Sequence, residues 1–378
     1  QFKNWFYAMI AMSTVLEDTN PFENVLGFAS MLGEDGRAMH KSWGNSIEFN
    51  EGADKIGVDV MRWAFVRHNP ERNLLFGYKT TGEVKRQFHM ILWNSYRFFV
   101  SLVSLEDWTP ESSHLSNNPL DLWVLARLNQ VIREVTNSLD QFDAFSAAAA
   151  IEEFVQDFST WYIRRSRDRV GPSATDSTDK NSCYQTFYQV LESLSRIMMP
   201  FTPFLSDLIY TNLTGESSVH LANWPESHSG TPQEKELLDQ MKVVRDICEL
   251  GHSKRKLENI PVKQPLSSIK VNGVSNLGLD LQTIVSQELN VLKVDLEENG
   301  EFSIILDTAL TPELIEKGKV REIIRSIQGA RKEAGCRLDE VVMVELPDWP
   351  PKYEDDIKRK VLASQLIKSD KLKIIRQN

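Results

Sequence analysis

Cysteine is scarce in this sequence, and its scarcity excludes two kinds of small protein. The 378 residues include only three cysteines, Cys183, Cys248 and Cys336. They lie too far apart for a disulfide scaffold or a zinc knuckle, because both need closely spaced pairs. We therefore expect no metal site, zinc included, and a reducing, cytoplasmic setting.

Long hydrophobic runs are also missing. No stretch approaches the ~18 uninterrupted apolar residues of a membrane-spanning helix, so we expect no membrane partner. Positive charge is in deficit as well, since 43 Lys and Arg stand against 53 Asp and Glu and leave a formal net charge of −10. Taken alone, this deficit argues weakly against a nucleic-acid partner.

The residues that are present are typical of a globular protein. Hydrophobic residues make up 41% and charged residues 25% of the chain, which excludes wholesale disorder and a collagen-like fibre. The length suggests roughly two to four domains. An apolar run begins at the first residues, so we expect a chain that starts inside a domain. We find no internal repeat.

The first third of the chain alternates short apolar segments with polar turns. Residues 25–32 are predicted as a strand, and the Gly-rich residues 33–36 as a turn. Further on, the spacing of apolar residues becomes helical, and the capping box at 80–83 predicts a helix start. The segment 106–118 is rich in Ser, Asn and Pro and is predicted as a linker.

Four amphipathic helices with short connections follow at about 119–214 and predict an antiparallel bundle. A second capping box predicts another helix from Thr231. A small α+β domain comes after Pro261, with a long helix at about 312–334 that Gly335 ends. Two short helical segments are predicted to finish the chain. Strands are predicted at 268–271, 291–296, 302–306 and 341–346.

The predicted fold class is mainly α, with a partial α/β segment before the helical bundle and a small α+β domain after it. The corresponding boundaries are 1–50, 51–118, 119–258 and 259–378.

A polar loop at 37–45 carries the first candidate chemistry. Lys41 and Ser42 follow a Gly-rich turn and precede Gly44 and Asn45. The flexible ammonium of Lys41 can meet a phosphate and offset the charge that develops on a phosphoryl group during its transfer. A solvated lysine in a polar turn is the alternative, and the loop alone favours it.

The residues around this loop resemble class I aminoacyl-tRNA synthetases of the isoleucine/valine/leucine branch. The second signature of that family, Lys-Met-Ser-Lys-Ser, follows a strand and an acidic-Gly turn and precedes Gly-Asn. Met39, Lys41 and Ser42 match it, whereas Ala38 replaces the first lysine and His40 the first serine. The segment reads Glu34-Asp35-Gly36-Arg37-Ala38-Met39-His40-Lys41-Ser42-Trp43-Gly44-Asn45.

The resemblance implies that the intact enzyme uses ATP with Mg²⁺ and binds it through Met39, His40, Lys41 and Ser42. In the family both signature lysines approach the ATP phosphates, and the second is the more important for adenylate formation. That catalytic role falls on Lys41, while Ala38 removes one positive charge. A protonated His40 would compensate in part, and a loop histidine with no role is the alternative.

The first residues resemble a second element of the family, Gln-x-x-Gly-Trp-Phe, which lines the aminoacyl pocket. Gln1 and Trp5 would then face the adenylate and the amino-acid side chain, with Asn4 in place of the usual glycine. Burial of Trp5 in a core is the alternative. Residues 57–63 resemble the family's Gly-Ala-Asp-x-x-Arg stretch, and Asp59 is predicted to cap that helix.

An arginine cluster lies near the end of the second bundle helix. Arginine binds phosphate bidentately and stacks on bases, and an exposed tryptophan stacks too. The stretch resembles the anticodon-bundle sequence of the isoleucine-specific synthetases and is predicted to bind tRNA. The alternative is a helix end where cations are favourable anyway, or arginines buried against neighbouring helices. The predicted tRNA-binding residues are Trp161, Arg164, Arg165, Arg167 and Arg169.

Three later segments, 261–266, 310–314 and 325–335, also resemble the isoleucine-specific members. Their arrangement is that of the zinc-free eukaryotic and archaeal-like form, because the other bacterial form ends in a zinc-binding Cys cluster. The family's first signature, His-x-Gly-His, and its inserted editing domain do not occur in this sequence.

The resemblance runs from the first residues nearly to the last and implies part of an isoleucine-specific synthetase. The intact enzyme would form an adenylate from isoleucine and ATP and then charge tRNA(Ile), and we expect it to be a monomer. This chain alone is expected to be inactive. Three alternatives stay open: a valine-specific relative, a degenerate paralogue that binds tRNA without catalysis, and a helical adaptor with no RNA partner.

Overall fold

The computed structural model describes residues 5–111 and 116–376. The first helix, α1 (Tyr7–Glu17), is largely apolar, yet none of its residues is buried. Trp5, just before it, is 61% exposed. Because a helix in a protein is stabilised mostly by its buried face, α1 contributes little to the core.

A short parallel ladder positions the polar loop. Strand β1 (Met31–Gly33) pairs with β2 (Leu74–Phe76), with Met31 opposite Leu74. The strand predicted at 25–32 is therefore shorter and begins later. Before β1 the backbone still approaches the later segment, since the Ala29 N–H donates to the Pro70 carbonyl at 2.7 Å.

Helices surround this ladder. The capping box predicted at 80–83 lies inside a helix, because Thr80 is its third residue and the Thr80 hydroxyl accepts from the Gly77 N–H at 3.0 Å. A π-helical stretch at 85–89 continues that helix. The helices are α2 (Phe49–Ile56), α3 (Val58–Val66), α4 (Tyr78–Val84) and α5 (Met90–Val103).

The bundle follows, as predicted. The Asn118 side chain caps its first helix by accepting from the Leu120 N–H at 3.0 Å. A π-helical stretch at 158–163 joins the second and third of its helices, so the one long helix predicted there has a bulge in its middle. The helices are α6 (Pro119–Asp140), α7 (Ala144–Asp157), α8 (Arg164–Val170), α9 (Ser177–Met198) and α10 (Pro203–Thr214).

Aromatic side chains connect the bundle to the helices before it. Trp63 stacks on Phe88 with the ring centroids 3.9 Å apart, and its indole N–H donates to Glu152 of α7 at 2.7 Å. Phe99 of α5 stacks on Phe187 of α9 at 5.7 Å. These fully buried rings belong to one hydrophobic core that runs from α2 to residue 304.

The C-terminal part is α+β, as predicted, except at its end. Two short helical segments were expected to finish the chain, and residues 354–361 are helical, but two strands, at 363–368 and 373–376, follow them. The final strands pair with the strand at 342–346, whose side chains alternate between buried and half-buried. The elements are α11 (Pro232–Leu257), β3 (Leu266–Asn272), α12 (Leu279–Leu289), β4 (Val291–Glu297), β5 (Ser303–Leu306), α13 (Pro312–Glu333), β6 (Val342–Leu346), α14 (Glu354–Val361), β7 (Ala363–Lys368) and β8 (Lys373–Arg376).

The two small sheets share one topology, which the sequence did not reveal as a repeat. Their strand orders are β4-β3-β5 and β7-β6-β8. In each, the first strand is central, the second pairs with it in parallel after a short helix, and the third pairs antiparallel. A second, smaller core lies between α13, α14 and the second sheet.

In the part of the chain that the structure describes, no helix is both long and apolar enough to cross a membrane.

Candidate functional site

The polar loop leaves β1 through a turn and ends in a single 3₁₀ turn, Lys41–Trp43. The Asn45 side chain holds the loop together. Its oxygen accepts from the His40 N–H at 2.9 Å, and its amide donates to the Ala38 carbonyl at 3.0 Å. Gly44 ends the turn with φ at 71°, in the left-handed region that favours glycine.

The side chains of the loop differ in what they contact. Met39 packs against the main core, whereas His40, Lys41 and Ser42 are exposed. The His40 ring lies 4.3 Å from the Trp43 ring. Lys41 makes no ion pair with any described residue, so its ammonium is available to an anionic ligand.

The loop is joined to α4 by a residue to which the sequence assigned no role. A carboxylate oxygen of Glu34 accepts from the Thr80 N–H at 2.6 Å. Gly77 lies close to this side chain: a Cβ at this position would be 2.2 Å from it, so a larger residue would displace Glu34. Asn45 and Glu34 thus position the loop; the only sequence signal for Asn45 was its Gly-Asn setting, which is common in turns.

The predicted amino-acid pocket is only partly described. Gln1 lies outside the described residues. The Trp5 indole is exposed and meets the Phe6 ring edge-on at 6.0 Å. The expected role of both residues stays a prediction.

Asp59 caps a different helix from the one expected. Its carboxylate accepts from the Leu205 N–H at 2.6 Å, at the start of α10, whereas Gly57 precedes its own helix. Burial raises the pKa of Asp59, and the backbone hydrogen bonds offset part of that effect. Arg62, one turn later, donates to the Phe201 and Pro200 carbonyls at 2.9 and 2.7 Å. This segment therefore fastens α3 to the α9–α10 turn.

Three of the five predicted RNA-binding residues form internal ion pairs, and in two of them, Arg165 and Arg169, the side chain is mostly buried. Arg169 donates to Asp121 and Asp179, with nitrogen–oxygen distances of 2.7 to 2.8 Å. Asp121 is fully buried and also accepts from the Tyr162 hydroxyl at 2.7 Å. These contacts raise the pKa of Arg169 despite its desolvation. Arg165 donates to Glu288 of α12 at 2.8 Å, and its side chain is only 6% exposed.

Arg164 shares the same acid but lies nearer the surface. It donates to the other oxygen of Glu288 at 2.6 Å while 48% of its side chain stays exposed. His252 also lies 3.0 Å from that carboxylate. Burial tends to raise the pKa of Glu288, but His252 and the two arginines prevail and hold it at about 2.

The remaining two residues of the cluster, Arg167 and Trp161, differ in burial. Arg167 is exposed, with its guanidinium 5.8 Å from the centre of the Phe98 ring. Trp161 is half-buried, and the Arg245 guanidinium lies 5.6 Å from its ring. The structure thus leaves Arg167, and in part Arg164 and Trp161, accessible to a ligand.

Within residues 5–111 and 116–376, no group of three or more His, Cys, Asp or Glu side chains is arranged to hold a metal ion.

Two family models match the chain. The model described as "tRNA synthetases class I (I, L, M and V)" covers residues 1–76, which include the polar loop. The model described as "Anticodon-binding domain of tRNA ligase" covers residues 121–271, which include α8 and its arginines.

Curated relatives extend the similarity over almost the whole chain. An isoleucine–tRNA ligase of Dehalococcoides mccartyi is 34% identical over 98% of this chain and 40% of its own length. One of Deinococcus radiodurans is 30% identical over 97% of this chain and 42% of its own length. One of Clostridium acetobutylicum is 29% identical over 98% of this chain and 45% of its own length. The chain thus spans less than half the length of these relatives.

Proposed function

This chain belongs to the class I tRNA synthetases and is homologous to isoleucine–tRNA ligases along nearly its whole length, and on that premise we propose that it supplies the phosphate-facing loop and the tRNA-binding helices of such a ligase. The observation that carries the proposal is the state of Lys41. It is exposed and forms no ion pair with any described residue, on a loop that Asn45 and Glu34 hold in place.

In the proposed reaction, a carboxylate oxygen of isoleucine attacks the α-phosphorus of ATP, and the bond to the bridging oxygen breaks as pyrophosphate leaves. Negative charge grows on the departing phosphates. Lys41 offsets it with an ammonium on a flexible side chain. ATP would bring Mg²⁺, which would neutralise further phosphate charge.

The other loop residues have supporting roles in this proposal. Met39 anchors the loop in the core, Ser42 offers a hydroxyl beside Lys41, and His40 is kept against the Trp43 ring. Gln1 and Trp5 are proposed for the aminoacyl pocket on family resemblance alone.

For tRNA, we propose that Arg164, Arg167 and Trp161 contact the nucleic acid directly. Arg165 and Arg169 act as positioning residues, because their guanidinium groups are engaged with Glu288 and with Asp121 and Asp179. Because Arg165 and Arg169 fix the position of α8, they keep the accessible arginines of this helix at a defined place on the surface. We further propose a cytoplasmic, monomeric enzyme.

The test is isoleucine-dependent exchange of pyrophosphate into ATP by the full-length protein. We expect exchange with isoleucine well above that with valine, and none by the 378-residue chain alone. Equal or greater exchange with valine would assign the protein to the valine-specific relatives.

A degenerate paralogue is the second candidate, and one observation favours it. Ala38 stands where the family has a lysine, so its side chain brings no positive charge to a phosphate, and its carbonyl accepts from the Asn45 amide. Binding of tRNA without exchange by the full-length protein would establish this candidate. Absence of tRNA binding would leave the helical adaptor.

A further inference from the structure

The C-terminal part consists of two copies of one structural module, and a buried arginine marks each copy. We name α11 to β5 (232–306) module 1 and α13 to β8 (312–376) module 2. Arg255, at the end of α11, donates to the carbonyls of Pro261 and Gln264 at 3.2 and 3.0 Å. Arg331, at the end of α13, donates to those of Arg337 and Glu340 at 3.3 and 2.8 Å. Each donor and acceptor of module 2 lies 76 positions after its counterpart.

The short helices of the two modules end in the same way. α12 stops at Asn290 with φ 51°, α14 stops at Leu362 with φ 52°, and a strand follows each at once. The carbonyls of these two residues accept from the first residue of the central strand, at 3.0 Å from Leu266 and 3.1 Å from Val342. Counting back from these helix ends makes each of the 8 residues of α14 equivalent to one of α12.

The equivalent residues carry opposite charge. In module 1, Gln287 and Glu288 contact the arginines of α8. In module 2, the same two positions hold Arg359 and Lys360. Both pairs line one cleft of about 960 Å³, which has α8 on its other side. Module 1 therefore meets the basic helix with an acid, whereas module 2 presents cations to it.

Positive charge prevails along this cleft, although the whole chain is acidic. Seven basic side chains line it against four carboxylates. Arg167 of α8, Arg321 of α13 and Lys360 of α14 form no ion pair with any described residue. Partial burial lowers the pKa of Arg321, and the charge of Asp168 opposes that effect. Cations that line one cleft from three helices repel, and an anion between them would relieve the repulsion.

We propose that this cleft binds the phosphate backbone of single-stranded RNA through Arg167, Arg321 and Lys360. The inference rests on the proposed function and adds module 2 to the RNA-binding surface. Guanidinium groups match phosphate oxygens in a bidentate geometry, and a lysine adds a point charge. An acidic protein segment is the competing occupant. RNA is favoured because α8, one wall of the cleft, lies within the region matched by the anticodon-binding model.

The test compares two triple variants of the whole 378-residue chain. The first is R167Q/R321Q/K360Q. The control, K235Q/K242Q/K371Q, removes the same charge from exposed lysines outside the cleft. Dissociation constants for a tRNA(Ile) transcript are measured across a salt series. Each lost contact to a single strand lowers the slope of log K against log salt by ~0.7, so we expect a loss of about 2 in slope and about 100-fold in affinity at 0.1 M salt. The control variant should lose less than about 3-fold in affinity for the transcript.

Each other outcome has a defined meaning. If the wild-type chain binds tRNA and the cleft variant binds it no more weakly than the control does, RNA binding by the cleft is refuted. The proposed function would then stand. Wild-type chain that fails to bind tRNA would overturn both. Tighter binding of a poly-glutamate peptide than of RNA at equal salt would assign the cleft to an acidic protein segment. The single variant K360Q, at an exposed side chain, gives the same comparison should the triple variant unfold.

Discussion

The polar loop and helix α8 both present basic residues in the sequence, but the fold uses them in opposite ways. Lys41 is exposed and has no acidic partner among the described residues. Arg165 and Arg169 lie against buried carboxylates, with side chains 6% and 13% exposed. A cation kept free in water can respond to a ligand, whereas a cation engaged inside the protein stabilises the fold.

The difference follows from what surrounds each side chain. The loop is held by neutral hydrogen bonds of Asn45 and by the Glu34 carboxylate, which contacts backbone and leaves Lys41 unengaged. α8 lies between α6, α9 and α12, and each of these helices contributes an acid. A positive side chain is therefore left free for a ligand in one place and engaged in the architecture in the other.

The largest effect should come from removing an engaged arginine. Arg169→Met leaves the buried Asp121 without its cation and should lower the free energy of unfolding by about 3–5 kcal/mol. Arg167→Met, on the same helix but exposed, should cost less than about 1 kcal/mol. Urea unfolding of both variants measures the contrast. Equal losses in the free energy of unfolding would mean that Arg169 and Arg167 contribute equally to stability, against the comparison made above.

Removing the free cation should affect rate and leave stability unchanged. In the full-length protein, Lys41→Ala should slow adenylate formation by about 10²–10³-fold, since a preorganised charge at the transition state is lost. The free energy of unfolding should stay within about 0.5 kcal/mol of the wild-type value. Arg37→Ala, an exposed cation of the same loop, is the matched control and should retain most of the rate. An unaltered rate for Lys41→Ala would refute the role given to it.

His89 extends the comparison to a buried ionisable group that forms no ion pair with a described residue. Burial lowers its pKa to about 4 from an ordinary 6.5, although a backbone contact with Asp59 opposes part of the shift. Between those values the unfolded chain binds a proton that the folded chain does not, so stability falls as the pH drops from about 6.5 towards 4.

This pH effect is measured by urea unfolding at pH 7.0 and 4.5. The His89 contribution to the loss should be about 2 kcal/mol. His89→Leu should remove that part of the pH dependence, while His220→Leu, at an exposed position, should not. A pH profile unchanged by His89→Leu would show that His89 titrates normally in the folded protein.

The smallest effect should come from the residue that shapes the loop without touching substrate. Asn45→Ala removes two hydrogen bonds, each worth about 1 kcal/mol at most when exposed. Adenylate formation by the full-length protein should slow about 5–10-fold, and KM for ATP should change more than kcat. Asn50→Ala, an exposed asparagine of the next helix, is the control. A loss as large as that of Lys41→Ala would make Asn45 a direct ligand.

Much of the fold could be predicted from local signals. The helices of the bundle follow from apolar spacing and from caps such as Asn118, because those signals are contained in a few adjacent residues. The final strands could not be recognised, since their status depends on pairing with β6. The repeat was hidden for a related reason. Its most regular feature is a pattern of carbonyls bound by Arg255 and Arg331, and carbonyls carry no residue identity.

The sequence by itself determined the family, the loop with Lys41 and the arginine-rich helix, because each depends on residue type and short-range spacing. Only the tertiary structure decided which cations stay free. Arg169 meets Asp121 from 48 positions away and Arg165 meets Glu288 from 123 positions away. Whether a charge is engaged depends on what the folded chain places beside it, and such distant neighbours are not encoded in any local pattern.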